Sequence, residues 1–374
     1  MYPDAGESIM SDVVLERFIK EYIQIQTSPN VLFTWHGGEP LMRPLSFFQK
    51  AMALQKRYAG GRHIDNALQT NATLINDKWA EFLKKNNFLI GVSIDGPKEY
   101  HDLYRKTRRS GPSFRDVMRG IDILNRHGVE WNALAVVNDV NARHPKEFYR
   151  FFKDINCRYI QFTPVVERLY AHNDGRWLAS PAESNSVYMA PFSVSPEAWG
   201  DFLCGVFDEW VRNDVGNTFV QLFDATLAGW VGVQPGLCTL AQTCGHAAAI
   251  EANGDVYVCD HFVFPEYRLG NIMQKPLATM LYGEEARSFG LNKRDTLTQE
   301  CRECPWLMAC HGECPRLRFT TDRYGNAGHN YLCHGLRQFF EHAAPYMDYM
   351  KQQLQHQLPP ANVMQWIKDG QKII

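Results

Sequence analysis

Eight of the ten cysteines fall between positions 238 and 333. They run Cys238-x5-Cys244-x14-Cys259, then Cys301-x2-Cys304-x5-Cys310-x3-Cys314, then Cys333. A Cys-x2-Cys loop brings two thiolates to one metal with little strain, and soft thiolates select zinc, copper(I) or iron–sulfur clusters. Eight thiolates make two four-cysteine sites, and the spacing admits two iron–sulfur clusters or two structural zincs. Disulfides are the distant third reading. The opening residues, Met1 to Glu7, are polar and acidic and do not read as a secretory signal. The expected compartment is therefore the cytoplasm, where thiols stay reduced. Asp260 follows Cys259 directly. A carboxylate there is a surface residue, a hydrogen-bond partner or a general base. Cys157 and Cys204 stand outside the pattern and read as small buried apolar residues.

A second set of candidates sits in the first hundred residues. Val31–Trp35 reads as a strand and runs into His36-Gly37-Gly38-Glu39-Pro40. Two glycines let backbone approach a ligand closely, and Glu39 offers a carboxylate to an ammonium group. Ile64–Thr70 ends in Gln69-Thr70-Asn71, and Leu89–Ile94 ends in Ser93-Ile94-Asp95-Gly96-Pro97. Each is a common turn taken alone. In parallel α/β folds, however, sites form at the C-terminal ends of strands, and three polar clusters at three successive strand ends point to one pocket.

The elements that must position these groups follow from periodicity. Residues 11–26 read as a helix capped by Ser11, with an apolar stripe of Val14, Leu15, Phe18, Ile19 and Tyr22. Further strands are expected at Trp131–Val137 and Tyr159–Thr163, with amphipathic helices near 45–58, 76–86, 114–127 and 145–154. Strands alternating with helices imply a parallel sheet or barrel. Five strands are visible and the chain opens on a helix, so the expectation is a parallel barrel or part-barrel without its first strand. Residues 165–198 read as irregular, and Trp199 to Val211 as a helix with a strong apolar stripe. Beyond 236 come two short strands, Ala248–Glu251 and Val256–Val258, flanking an Asn253-Gly254 hairpin turn, and then a helix from His334 to about 357. A hydrophobic content of 45% with 21% charged residues fits a globular protein. The net charge of −2 supplies no basic field for nucleic acid or an anionic membrane. No apolar run approaches the roughly 18 residues of a membrane span.

Together, Gly37-Gly38-Glu39-Pro40, Gln69-Thr70-Asn71, Ser93-Ile94-Asp95-Gly96-Pro97 and the cysteine ladder with Asp260 resemble the anaerobic sulfatase-maturating enzymes, radical S-adenosylmethionine (SAM) proteins with a C-terminal SPASM domain. The resemblance runs from about residue 10 to about residue 350. It implies a partial (β/α)6 barrel over 1–170, a connecting segment with helices over 171–234, an iron–sulfur SPASM domain over 235–340, and a C-terminal helix and tail over 341–374. Cys238, Cys244, Cys259 and Cys314 would hold one auxiliary [4Fe–4S] cluster, and Cys301, Cys304, Cys310 and Cys333 a second. Gly37, Gly38, Glu39, Ser93, Arg105 and Val166 would contact SAM, and Gln69 would line the substrate channel. The family oxidises a cysteine or serine of a sulfatase to formylglycine: a 5′-deoxyadenosyl radical takes a Cβ hydrogen, and a base, here Asp260, takes the thiol or hydroxyl proton. The remaining electron leaves toward an auxiliary cluster. Implied partners are a sulfatase polypeptide or another peptide and an electron donor such as flavodoxin or ferredoxin, with no nucleic acid and no membrane.

The sequence departs from the family at its defining motif. The Cys-x3-Cys-x2-Cys that holds the radical-generating cluster is missing, and no cysteine precedes Cys157. The expectation is a truncated chain that does not cleave SAM, from a protein that is a maturase at full length. The competing readings are a non-catalytic iron–sulfur or zinc remnant that regulates sulfatase, and a SPASM enzyme acting on another peptide. Smaller departures are His36 for the usual Gln, Leu41 for Thr, Ala72 for the Gly after Gln-Thr-Asn, and Glu313 for Gly.

Overall fold

A computed structural model describes residues 9–170, 178–183, 186–245 and 247–370; the acidic N-terminal heptad lies outside these. The chain runs α1 (Asp12–Ile25), β1 (Asn30–Trp35), α2 (Leu45–Tyr58), β2 (His63–Thr70), α3 (Asp77–Lys85), β3 (Leu89–Ser93), α4 (Lys98–Tyr104), α5 (Phe114–Arg126), β4 (Trp131–Val137), α6 (Pro145–Asp154) and β5 (Tyr159–Pro164). It continues through β6 (Arg168–Tyr170), β7 (Val187–Met189), α7 (Pro196–Asn213), β8 (Phe219–Val220) and α8 (Gln221–Trp230). The cysteine-rich part contains β9 (Ala249–Ile250), β10 (Asp255–Tyr257), β11 (Arg268–Asn271), α9 (Leu277–Leu281), α10 (Glu284–Asp295), α11 (Gln299–Arg302) and α12 (Leu307–Cys310). Last come β12 (Thr320–Thr321), β13 (Ala327–His329), α13 (Cys333–Gln355) and α14 (Val363–Lys368).

Six strands form one sheet in the order β1-β2-β3-β4-β5-β8. β1 pairs parallel with β2, and β5 pairs parallel with β4 and β8. All five expected strands are present within about two residues of their anticipated ends. The sixth, β8, is new. It is two residues long, too short for any periodicity to register. It is held where Phe219 N–H donates to the Arg158 carbonyl at 2.7 Å.

The residues group into two compact units. The first comprises Met1–Gly91, Gly120–Glu130 and Thr243–Asp295; the second comprises Val92–Arg119, Trp131–Gln242 and Thr296–Ile374. In the first, Ser11 caps α1 as expected, its hydroxyl accepting from Val14 N–H at 3.3 Å. The stripe on α1 has two duties. Leu15, Ile19 and Ile23 are wholly buried, while Val14, Phe18, Tyr22 and Ile25 join a core with Val256, Val258, Phe262, Leu269, Ile272 and Met280 from the cysteine-rich part. The order of the chain thus conceals a contact between its first helix and residues more than two hundred positions later. The Asn253-Gly254 turn is present, Gly254 at φ +89°, joining β9 to β10 in an antiparallel pair. In the second unit, α7 crosses α13 where Gly335 lies so close to the Pro196 carbonyl that no Cβ fits. Around that crossing Phe207, Trp210, Phe223 and Phe339 pack ring against ring. Residues 165–198 contain a short antiparallel pair, β6 with β7, which was not anticipated.

Candidate functional site

Parallel pairing sets the strand ends level. Trp35 lies opposite Leu68, so the loop after β1 and the end of β2 leave the sheet together. A buried polar network fixes this register: Trp35 Nε1–H and Gln55 Nε2–H both donate to Asn66 Oδ1, at 2.8 and 2.9 Å. Gly37 has φ +132°, a conformation that excludes side chains, and open space surrounds the positions where Cβ atoms of Gly37 and Gly38 would lie. The exposed backbone of the pair is therefore available to a ligand. Glu39 sits beside it and joins two of the three motifs. Its Oε1 accepts from Thr70 Oγ1 at 2.7 Å and from Leu41 N–H at 3.0 Å, and its Oε2 accepts from Asn71 N–H at 2.9 Å. A carboxylate has about four lone-pair sites; three are filled, and the last, on Oε2, suits an ammonium group. Gln69 is exposed at the end of β2. Removing the anchor is expected to be felt: Glu39→Ala should cost about 1–3 kcal/mol in urea unfolding, because three donors lose their acceptor. A change within about 0.5 kcal/mol, the range of ordinary surface substitutions, would deny Glu39 this role.

The glycine pattern from which Ala72 and Glu313 depart has its cause in the backbone. Ala72 has φ +58° and Glu313 φ +52°, both in the left-handed region where glycine is the least strained residue. Ala72 is fully buried against Gly120 of α5. Glu313 is held by its own carboxylate, which accepts from Asn330 Nδ2 at 3.0 Å.

In the second unit, Ser93 ends β3 and is 7% exposed. Asp95 is buried, and both its oxygens are used: Oδ2 accepts from Arg105 Nε at 2.6 Å, and Oδ1 from Arg105 Nη2 at 3.0 Å and Val136 N–H at 2.8 Å. Asp95 is thus the clamp that orients Arg105 rather than an open ligand group. Arg105 keeps three of its five N–H donors for other partners. Val166 is buried at 5% exposure just beyond β5.

His101 was not singled out from the sequence, yet it organises this clamp. Asp95 N–H donates to His101 Nδ1 at 3.2 Å, His101 Nε2–H donates to Ser113 Oγ at 3.0 Å, and Ser113 Oγ–H donates to the Arg105 carbonyl at 2.7 Å. Nδ1 faces a donor, so a protonated ring would set N–H against N–H. Burial accordingly pushes the His101 pKa from 6.5 down to about 4, against the pull of Asp95. The folded pKa lies below the unfolded one, so this group's contribution is complete above pH 6.5 and is lost as pH falls toward 4. The loss should reach up to about 3 kcal/mol, and His101→Gln should flatten that limb of a pH–stability curve. An unchanged limb would contradict the neutral ring.

The strongest constellation lies farther along the same unit. Cys301, Cys304, Cys310 and Cys333 all line one pocket, with Trp306, Leu336 and Phe340 among its apolar walls. Thr298 caps α11, so the thiol of Cys301 starts from a fixed turn. Cys304 N–H donates to the Cys301 carbonyl at 3.2 Å, closing the Cys-x2-Cys loop. Cys310 ends α12, and Cys333 is the first residue of the 23-residue α13, where the helix dipole favours negative charge. All four are free thiols despite sharing a cavity. Burial raises the pKa of Cys304 and, with Cys333 next, that of Cys310. At Cys301 burial is outweighed by hydrogen bonds from His329 and Thr298, and the pKa falls. Thiolates that line one space suit a cationic centre among them. Among the described residues no three Cys, His, Asp or Glu side chains close on one point as a single ion requires. The four thiols line one space with apolar walls, a donor set that suits a thiolate-held metal centre.

The other four ladder cysteines are divided. Cys244 and Cys259 belong to the first unit, Cys238 and Cys314 to the second. Cys244 N–H donates to the Gly290 carbonyl at 3.0 Å. Cys259 caps the short turn Asp260–Phe262 and lies 3.2 Å from Asp260 Oδ1. Asp260 is exposed and accepts from His261 N–H at 3.1 Å. Of the two cysteines outside the ladder, Cys157 is buried as expected, its thiol pushed up to about 11 by burial. Cys204 is only partly buried, a correction to the reading that both are enclosed.

Residues 6–152 match the radical SAM superfamily, and residues 241–305 match SPASM, an iron–sulfur cluster-binding domain. The chain is 59% identical over 370 residues to a serine-type anaerobic sulfatase-maturating enzyme of Bacteroides thetaiotaomicron, covering 99% of this chain and 89% of that one. It is 33% identical over 340 residues to a cysteine-type enzyme of Clostridium perfringens, covering 90% and 87%. A solved structure described as native anSMEcpe with bound AdoMet and Kp18Cys peptide superposes with a TM-score of 0.81 at 32% identity, covering 92% of this chain and 91% of that one. No described helix is long and apolar enough to cross a membrane. The chain belongs to the anaerobic sulfatase-maturating enzymes of the radical SAM superfamily.

Proposed function

We propose that this protein oxidises a serine or cysteine of a sulfatase polypeptide to formylglycine, with serine favoured. The observation that carries this reading is the 59% identity to a serine-type enzyme across 99% of the chain. Gly38 and Glu39 would face the methionine amino group of SAM, Gly37 and Ser93 would also contact SAM, Arg105 would meet its carboxylate and Val166 its adenine, while Gln69 would line the substrate channel. Cys301, Cys304, Cys310 and Cys333 would hold one four-iron cluster, and Cys238, Cys244, Cys259 and Cys314 another. When bound, SAM supplies a hydrogen-abstracting radical and the auxiliary clusters supply electron acceptance. Asp260, exposed with Oδ2 open to a ligand, would take the hydroxyl or thiol proton of the substrate. An electron-donor protein of the flavodoxin or ferredoxin class is the second partner in this reading, and the cytoplasm, where thiols stay reduced, is the setting.

The 374 residues contain no Cys-x3-Cys-x2-Cys, so the test supplies it. The chain is joined to a segment bearing that motif and incubated anaerobically with SAM, reductant and a peptide containing Ser-x-Pro-x-Arg. An aldehyde at the serine, seen by mass spectrometry, is the expected result. Formation of 5′-deoxyadenosine without peptide oxidation would refute the assignment, and oxidation of a Cys-x-Pro-x-Arg peptide alone would correct the serine preference.

A further inference from the structure

His329 has no part in the reading above, yet it is one of the most closely held side chains around the four-thiol cavity. It ends β13 opposite Thr320 and is 7% exposed. Its Nδ1 lies 3.7 Å from Cys301 Sγ and 3.1 Å from Thr298 Oγ1. Its Nε2 lies 3.9 Å from Glu300 Oε2. Glu300 is itself fixed, accepting from Arg323 N–H at 2.9 Å and Arg337 Nη1 at 3.1 Å. Asp322 secures the hairpin beneath it by accepting from Tyr324, Asn326 and Glu300 N–H. The ring is thus oriented from its far side by a carboxylate and from its backbone by a hairpin, and its Nδ1 faces both the Thr298 hydroxyl and the Cys301 sulfur.

A sulfur bound to iron is an acceptor only, so the nitrogen facing it must carry the proton. We propose that His329 donates its Nδ1–H to the Cys301 sulfur and so raises the reduction potential of the cluster held by Cys301, Cys304, Cys310 and Cys333. The physical reason is charge. Reduction adds an electron to an already anionic cluster, and a donor aimed at a ligand sulfur stabilises the reduced form more than the oxidised one. Arg337, which also lines the cavity, acts in the same direction, with Glu300 tempering it. His329 is a positioning and tuning residue here, not a ligand. The inference rests on the four-iron reading of this cavity.

The test compares two substitutions of equal size in the whole chain after anaerobic reconstitution. His329→Leu removes the donor, and His329→Asn places an amide N–H at the same distance from Cβ. Potentials are read by electron paramagnetic resonance during a redox titration, and iron is counted in each protein. The expected result is equal iron in all three, with one of two reduction steps shifted to lower potential in His329→Leu, restored in His329→Asn, and the other step unmoved. Unshifted potentials at equal iron would overturn the proposal. So would loss of iron in both variants, which would make His329 a structural support. Wild-type protein that takes up zinc and no iron would instead overturn the cluster reading beneath it, an outcome distinct from either.

Discussion

Incubated anaerobically with SAM and a strong reductant, the purified and reconstituted 374-residue chain should release no 5′-deoxyadenosine above the protein-free level. Reductive cleavage needs an iron–sulfur centre with an iron open to SAM. In the reading proposed above the eight ladder cysteines hold auxiliary sites, and Cys157 and Cys204 are separated by 46 intervening positions, with Cys157 buried. No third site can be assembled from them. The groups that would embrace SAM, around Glu39 and Arg105, are nevertheless formed and internally braced. The expected loss is therefore of chemistry and not of fold. Production of 5′-deoxyadenosine by this polypeptide would show that an auxiliary cluster can itself open to SAM.

The second large effect concerns the cavity. Replacing Cys304 and Cys310 together with alanine should lower bound iron from about eight to about four per chain, since one of two cubane sites loses half its ligands. Cys157→Ala with Cys204→Ala should leave iron unchanged, because neither lines the cavity. Complete loss of iron in the first variant would mean that the two sites assemble as one unit. Full retention would mean that the ring of thiols does not hold the cluster.

Much of this architecture was legible in the residues. The βα rhythm, the cap at Ser11 and the three strand-end motifs all rest on local pattern, and local pattern survives in the structure. What remained hidden was tertiary. β8 is two residues long and owes its existence to its neighbour β5. In sequence Asp95 is only one polar member of a strand-end cluster. The structure uses it to orient Arg105, a partner ten positions away that no short motif links to it. His101 and His329 are lone histidines in sequence, and only their burial between named donors and acceptors gives them a role. Ala72 and Glu313 stood out as departures from a glycine pattern. The reason for that pattern, a left-handed backbone, became visible only in the dihedral angles.

Two iron–sulfur clusters held by the cysteine ladder have a direct analytical signature. Reconstituted anaerobically with iron and sulfide, the wild-type chain should be brown, absorb in the visible range, and contain about eight iron per polypeptide. A colourless protein carrying about two zinc and no iron would contradict the two-cluster reading.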